Sequence, residues 1–161
     1  MHEPETDTTI INQASALLSA SPCLIAGLSN LASLVYDALP DLNWAGFYLM
    51  HEGELVVGPF CGKPACIRIP VSKGVCGAAV REQSVQRIAD VSQFPGHIAC
   101  DSRSRSEIVI PVRREGRIVG VLDIDSPVLD RFSEKDEKLL KTVVSLLESS
   151  PVWQTPSYSF G

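Results

Sequence analysis

The chain has 161 residues, 45% of them hydrophobic, with a net charge of -5, which fits one domain that buries most of its apolar surface and argues against a second. Its fourteen Lys and Arg residues are scattered, with Arg113-Arg114 as the densest pair, so no basic stripe points to nucleic acid. No apolar run approaches the length that spans a bilayer, and the acidic start from Met1 to Asp7 lacks a signal-peptide pattern, so a cytoplasmic protein is expected.

Ile10, Ile11, Ala14, Leu17 and Leu18 recur at helical spacing and predict a helix over Thr9 to Leu18. A second helix follows Ser21-Pro22 on Leu24, Ile25, Leu28, Leu31, Leu34, Val35 and Leu39 and ends at Pro40. Its apolar stripe predicts packing across a sheet or against a partner. From Asn43 the texture is that of strands. Asn43 to Met50 and Glu54 to Phe60 read as a hairpin about Glu52-Gly53. Cys66 to Val71, Ser84 to Ile88, Ser106 to Arg114 and Arg117 to Ser126 supply the other strands, with Glu115-Gly116 turning between the last two.

A short helix spans Gly74 to Glu82. Ser133-Glu134-Lys135-Asp136 opens a last helix with a capping hydroxyl and first-turn acids, and its buried stripe is Leu139, Leu140, Val143, Val144 and Leu147. The longest gap, Ala89 to Arg105, reads as a functional loop because it carries a thiol. This pattern predicts an α+β domain over 1–148 with one central antiparallel sheet. The tail, 149–161, is rich in Pro and Ser yet carries Trp153, Tyr158 and Phe160. Disorder and docking of those aromatics on the body or on a second subunit both fit it.

Five cysteines, an odd number, in an expected reducing compartment read as free, catalytic or metal-binding thiols rather than a disulfide framework. Cys76 lies in the first turn of a helix, where amides and the dipole favour a thiolate. It also belongs to a small-residue surface with Val75, Ala78 and Ala79, and core packing is its favoured reading. Cys100 lies in the long loop beside His97, Arg103 and Arg105, whose charges would lower its pKa, against the opposing charge of Asp101. Cys66 and Cys61 can both approach a loop thiol as a resolving partner, and spacing does not choose between them. His97-x-x-Cys100 has ligand-like spacing for zinc, but paired C-x-x-C knuckles are absent, which places redox chemistry ahead of a structural metal.

Alternation puts Asp123 and Asp125 on one face of their strand and Leu122 and Ile124 on the other. Two carboxyls sharing a buried face raise each other's pKa, leaving a general acid near neutral pH; a solvated strand end before Ser126-Pro127 is the competing reading. A two-residue turn with Arg114 opposite Arg117 sets Glu107 opposite Ile124, on the far face. A bulge or a three-residue turn sets it opposite Asp123. Trp44 and Tyr48 share a face of the first strand, as pocket wall or as core.

Taken together, Asn43-Trp44-Ala45-Gly46-Phe47-Tyr48, Gly62-Lys63-Pro64-Ala65-Cys66, Gly74-Val75-Cys76-Gly77, Gly96-His97-Ile98-Ala99-Cys100-Asp101, Ser106-Glu107-Ile108-Val109 and Gly120-Val121-Leu122-Asp123-Ile124-Asp125-Ser126 closely resemble the free methionine-(R)-sulfoxide reductases built on a GAF domain. The resemblance runs from the first helix to Leu147. It implies a six-stranded antiparallel sheet flanked by helices, a homodimer, and reduction of the free amino acid with no metal or bound cofactor. By this resemblance Cys100 is the nucleophile, Cys66 the resolving thiol and Cys76 an accessory thiol, with a thioredoxin-like dithiol as reductant. Trp44 and Tyr48 match the pocket around the substrate methyl and thioether; Glu107, Asp123 and Asp125 match the acids that bind its polar groups and assist protonation. The alternative is a non-catalytic GAF module that binds a small ligand or senses oxidation.

Overall fold

Six alternating strands form a single sheet, and the direction in which each residue points along them decides what each face becomes. The computed structural model describes residues 6–155. The strands are β1 (Trp44–His51), β2 (Glu54–Gly62), β3 (Arg68–Pro70), β4 (Gln86–Ile88), β5 (Ser106–Arg114) and β6 (Arg117–Ser126), and the helices are α1 (Asp7–Ala20), α2 (Leu24–Ala38), α3 (Gly74–Glu82) and α4 (Glu134–Glu148). The sheet order is β3-β2-β1-β6-β5-β4, antiparallel at every pairing. The expected α+β architecture and six-stranded sheet are therefore present.

Two strands are shorter than their sequence pattern suggests. β3 pairs only across Arg68 to Pro70 with Glu54 to Val56, so Cys66 lies outside the ladder. β4 keeps only Gln86 to Ile88, opposite Glu107 to Val109. The two predicted tight turns are present: His51 pairs with Glu54 and Arg114 with Arg117. Both central residues of each turn have positive φ, at Glu52-Gly53 and Glu115-Gly116, the geometry whose twist suits a two-residue hairpin.

One face of the sheet carries Ala45, Phe47, Ile108, Ile110, Leu122 and Ile124, packed under α1, α2 and α4. α2 lays Leu28, Leu31 and Val35 onto it, so this stripe covers the sheet rather than waiting for a partner. α4 is held at its start by a capping box, in which the Ser133 hydroxyl accepts from Asp136 N and the Asp136 carboxylate accepts from Ser133 N. Arg131 braces it, 3.0 Å from Asp136 and donating to the Pro40 carbonyl. The first part of the tail docks on the body: Val152 is buried, and Trp153 Nε1 donates to the Leu147 carbonyl at 2.8 Å with Arg114 over its ring. Tyr158 and Phe160 lie outside the described residues.

The other face carries Trp44, Tyr48, Leu55, Ile69, Val109 and Val121 under α3. Two irregularities set what it presents. In β2, Gly58 and Pro59 together oppose Phe47, because Gly46 pairs with Phe60 and Tyr48 with Val57. Proline cannot donate to a ladder, and a bulge accommodates it. In β6, Val119 is the excess residue, since Val112 pairs with Gly120 but Arg113 with Ile118. Beyond it Glu107 stands opposite Asp125. The expected one-residue irregularity therefore coexists with the two-residue turn; because the excess lies in β6, it sets Glu107 against Asp125 rather than against Asp123.

Truncating Leu140, 1% exposed at the α4–sheet contact, should cost about 2–5 kcal/mol, whereas Lys141→Ala on the outer side should stay within about 0.5 kcal/mol. Urea denaturation of both variants checks this, and equal midpoints would place α4 off the core.

Candidate active site

The cleft on the α3 side begins with an aromatic wall. Trp44 and Tyr48, four positions apart on one face of β1, stack with ring centroids 5.6 Å apart, and Phe60 stacks on Trp44 at 5.1 Å. Gly46 lies between them, where a Cβ would fall 2.3 Å from the Phe60 Cβ, so only glycine leaves room for this stack. The polar tips of both rings are tied to one loop: Trp44 Nε1 donates to the Lys63 carbonyl at 3.2 Å and the Tyr48 hydroxyl to the Cys66 carbonyl at 3.0 Å. The wall thereby positions the segment that carries Cys66.

Opposite it, the connection from β4 to β5 is folded against α3. Val91 N donates to the Arg105 carbonyl and Gly74 N to the Gly96 carbonyl. Gly74 has φ 71°, a left-handed conformation that side chains rarely adopt, and a Cβ there would press on the Ile98 side chain at 3.2 Å, which explains a glycine at this helix start. Cys100 is joined to Cys66 in a disulfide with Cα atoms 5.4 Å apart. Of the two candidate partners, Cys66 is the one bonded. Cys61 pairs with Ala45 across the β1–β2 ladder, which places it on the helix-covered face of the sheet.

The charges around Cys100 differ from the sequence expectation. Arg103 is committed to Asp101, at 2.8 Å and through two further contacts, and its hydrogen bonds hold the Asp101 carboxyl well below the usual carboxylate range. Burial pulls the His97 imidazole down toward its neutral form. Arg105 is exposed, and its field acts on Asp90. The cations near Cys100 in sequence therefore do not gather on its sulfur. Sequence reasoning gave no role to the Asn43 side chain, yet buried Asn43 donates to Asp101 Oδ2 at 3.1 Å and to Ser104 Oγ at 3.0 Å, fastening the Cys100 loop to the start of β1. A lone polar residue at a strand start was its only sequence signal.

The floor is acidic. Glu107 is 6% and Asp123 5% exposed, and Asp125 is half-buried beside them. Burial, and then the fields of Asp123 and Asp125, push the Glu107 carboxyl well up; burial and Asp123 do the same to Asp125. Burial also raises Asp123, against hydrogen bonds from Glu107 and Cys76 that favour its anion. Glu107, raised by burial and by both aspartates, is the member of the group most strongly pushed toward its protonated form by its neighbours. Burial and the same acids push the Cys76 thiol well up. Cys76 is buried in the core cluster, as its favoured reading has it, and the thiolate that the α3 dipole would favour is opposed because desolvation next to anions outweighs amides at a helix end. Burial likewise raises Tyr48, which stays a phenol.

Trp44, Tyr48, Cys76, Cys100, Glu107, Asp123 and Asp125 all line one cleft of about 540 Å³, its mouth included. Among the described residues its basic lining side chains are Lys63 and His97. An apolar wall, the sulfur of Cys100 and carboxyls pushed toward their protonated forms suit a small molecule with a soft, reducible centre and a cationic end.

The raised acids make stability pH-dependent with a definite sign. A carboxyl whose folded pKa lies above its unfolded value of about 4 binds more protons in the native state, so its contribution is full below that value and is lost as pH rises through the folded pKa. Glu107→Gln should therefore flatten the fall in stability as pH rises above the ordinary carboxylate range in urea titrations, and a slope equal to that of the unmodified protein would show that Glu107 is not held protonated.

The sequence profile of the GAF domain matches residues 26–149. The free methionine-R-sulfoxide reductase of Escherichia coli (strain K12) is 49% identical over 148 residues, covering 92% of this chain and 90% of that protein. The structure of reduced fRMsr of Staphylococcus aureus superposes with a TM-score of 0.87 at 48% identity, covering 92% of this chain and 97% of that one. The free methionine-R-sulfoxide reductase of Neisseria meningitidis, solved in complex with its substrate, gives a TM-score of 0.87 at 37% identity, covering 92% of each chain. With a GAF-domain match over most of its length and relatives of this identity and coverage, the chain belongs to the GAF-domain free methionine-R-sulfoxide reductase family.

Proposed function

We propose that this protein reduces free L-methionine (R)-S-oxide to L-methionine. The observation that carries the reading is that Cys100, bonded to Cys66, lines the same cleft as Glu107, Asp123, Asp125 and an aromatic wall. Reduced Cys100 attacks the sulfoxide sulfur, and the oxygen must be protonated as the sulfur–oxygen bond of the substrate breaks. Glu107 and Asp125, held neutral by burial and by Asp123, are the donors. Methionine leaves, Cys100 remains as a sulfenic acid, and the Cys66 thiol condenses with it, releasing water and forming the disulfide. An external dithiol of thioredoxin type, itself oxidised in the exchange, returns both thiols.

The aromatic wall of Trp44 and Tyr48 receives the methyl and thioether carbons. Asp123, the anion of the cluster, receives the ammonium, while Glu107 and Asp125 keep the protons they deliver to the sulfoxide oxygen. A substrate embedded in a peptide lacks that cation and leaves buried acceptors unpaired. Cys76 serves as an accessory thiol that donates to Asp123 and keeps it an anion. A cytoplasmic homodimer is the setting this reading takes; among the described residues no helix is long and apolar enough to cross a membrane.

A thioredoxin-coupled assay of free methionine sulfoxide should show turnover of the R epimer at sulfur and little of the S epimer; no turnover of either would favour a ligand-binding or oxidation-sensing module. N-acetylation of the substrate should cost at least about a hundredfold in kcat/KM, and an equally good acetylated substrate would remove the ammonium from the acids. In single-turnover quench, Cys100→Ser should release no methionine, while Cys66→Ser should release one equivalent and stall. Equal loss of that first equivalent in both variants would reverse or erase the two roles.

A further inference from the structure

The acid floor has a second property that sulfoxide chemistry does not require. The sulfur of Cys76 and one carboxylate oxygen each of Glu107 and Asp123 lie within 4.8 Å of one another, all buried. Asp123 Oδ1, out of solvent on a residue only 5% exposed, has no hydrogen-bond partner. All three residues also line the cleft, so the group has an entry path.

We propose that this floor binds one thiophilic divalent cation of the zinc type, with Cys76, Glu107 and Asp123 as its protein ligands and water from the cleft in the fourth position. Tetrahedral zinc takes sulfur at about 2.3 Å and oxygen at about 2.0–2.2 Å, which sets its ligands roughly 3.5 Å apart. Binding would draw the three donor atoms in to that spacing from the 4.8 Å within which they already lie. On binding, the Cys76 thiol and the Glu107 carboxyl each release a proton to solvent, and a dication then faces one thiolate and two carboxylates. The thiolate selects the class of ion, because magnesium and calcium prefer oxygen alone, whereas zinc, cobalt and cadmium accept a mixed sulfur and oxygen set. These ligands differ from the His97-x-x-Cys100 spacing read from the sequence, since Cys100 is held by Cys66 and Cys76 lies at the start of another element.

None of the three ligands belongs to the disulfide, so the site persists in the oxidised protein, whose free thiols are Cys23, Cys61 and Cys76. This makes the test independent of turnover. Occupation of the floor would also block the proton donors of the reduction; that consequence rests on the proposed function, whereas the binding measurement does not, so the two fail separately.

Oxidised full-length protein titrated with Co²⁺ should take up one equivalent, with a near-ultraviolet sulfur-to-cobalt absorption band that one equivalent of Zn²⁺ erases and excess Mg²⁺ leaves intact. Cys76→Ser should abolish the band, Glu107→Gln should weaken Co²⁺ binding at least about tenfold, and Cys23→Ser and Cys61→Ser should leave it unchanged. No uptake, a band that survives Cys76→Ser or vanishes in Cys23→Ser or Cys61→Ser, or unaltered affinity in Glu107→Gln would each overturn the proposal. If Cys76→Ser does not fold, Glu107→Gln, with every thiol present, decides it alone.

Discussion

The chemistry of this cleft depends on one residue of excess chain in β6. The tight turn at Glu115-Gly116 pairs Arg114 with Arg117, and a regular ladder from that turn would carry Glu107 onto the helix-covered face beside Ile124. Such a placement would put an unpaired carboxyl into the apolar layer under α1, α2 and α4, which is prohibitive. The excess at Val119 shifts the ladder by one, and because side chains alternate with a period of two, that single step moves Glu107 to the face that holds Asp123 and Asp125. The same step leaves Ile108 and Ile110 facing the helices, so a regular core on one face and an acid cluster on the other are two results of the same irregularity.

Bringing three acids together without a basic partner has a physical consequence that the rest of the cleft uses. Each carboxyl raises the others, and burial raises all of them, so the group stores protons at a pH where isolated carboxyls would have lost them. The stored charge is released by whichever cation enters. On the proposed readings an ammonium, a metal ion and a solvent proton would compete for the same oxygens, with the aromatic wall favouring an amino acid with an apolar, sulfur-containing end and the Cys76 sulfur favouring a soft metal.

The two faces of the sheet divide stability from function. Three helices and the tail segment at Val152 cover one face with apolar residues. Among the described residues the other face is covered by the short α3, by the loop that bears Cys66 and by the connection between β4 and β5, which is tied down at Gly74, Val91, Asn43 and through the Cys66–Cys100 bond. A thinly covered face with anchored edges leaves a cavity where a helix layer would have filled it. Tyr48 and Trp44 contribute both to this core and to the cavity wall, since their rings pack on each other while their polar tips hold the loop that bears Cys66.

Local pattern carried much of this protein into the sequence. Helical spacing gave α1, α2 and α4, Ser133 and Asp136 marked the start of the last helix, the Glu-Gly pairs marked both tight turns, and strict alternation assigned Asp123 and Asp125 to the face away from Leu122 and Ile124. Those signals are legible because each arises from residues within a few positions of one another, where backbone geometry alone fixes direction. The motif resemblance added the family and with it the expected sheet. What remained open were relations between distant segments: which thiol meets Cys100, whether the arginines beside it act on it, whether Cys76 is a thiolate, and where Glu107 falls. Arg103 stands two positions from Asp101 in sequence and pairs with it, Cys76 sinks among acids more than thirty positions away, and Val119 displaces a ladder by one step that no periodicity announces. Burial and cross-strand register are properties of the assembled chain, and these two quantities decide protonation and convergence, so only the tertiary structure could settle them.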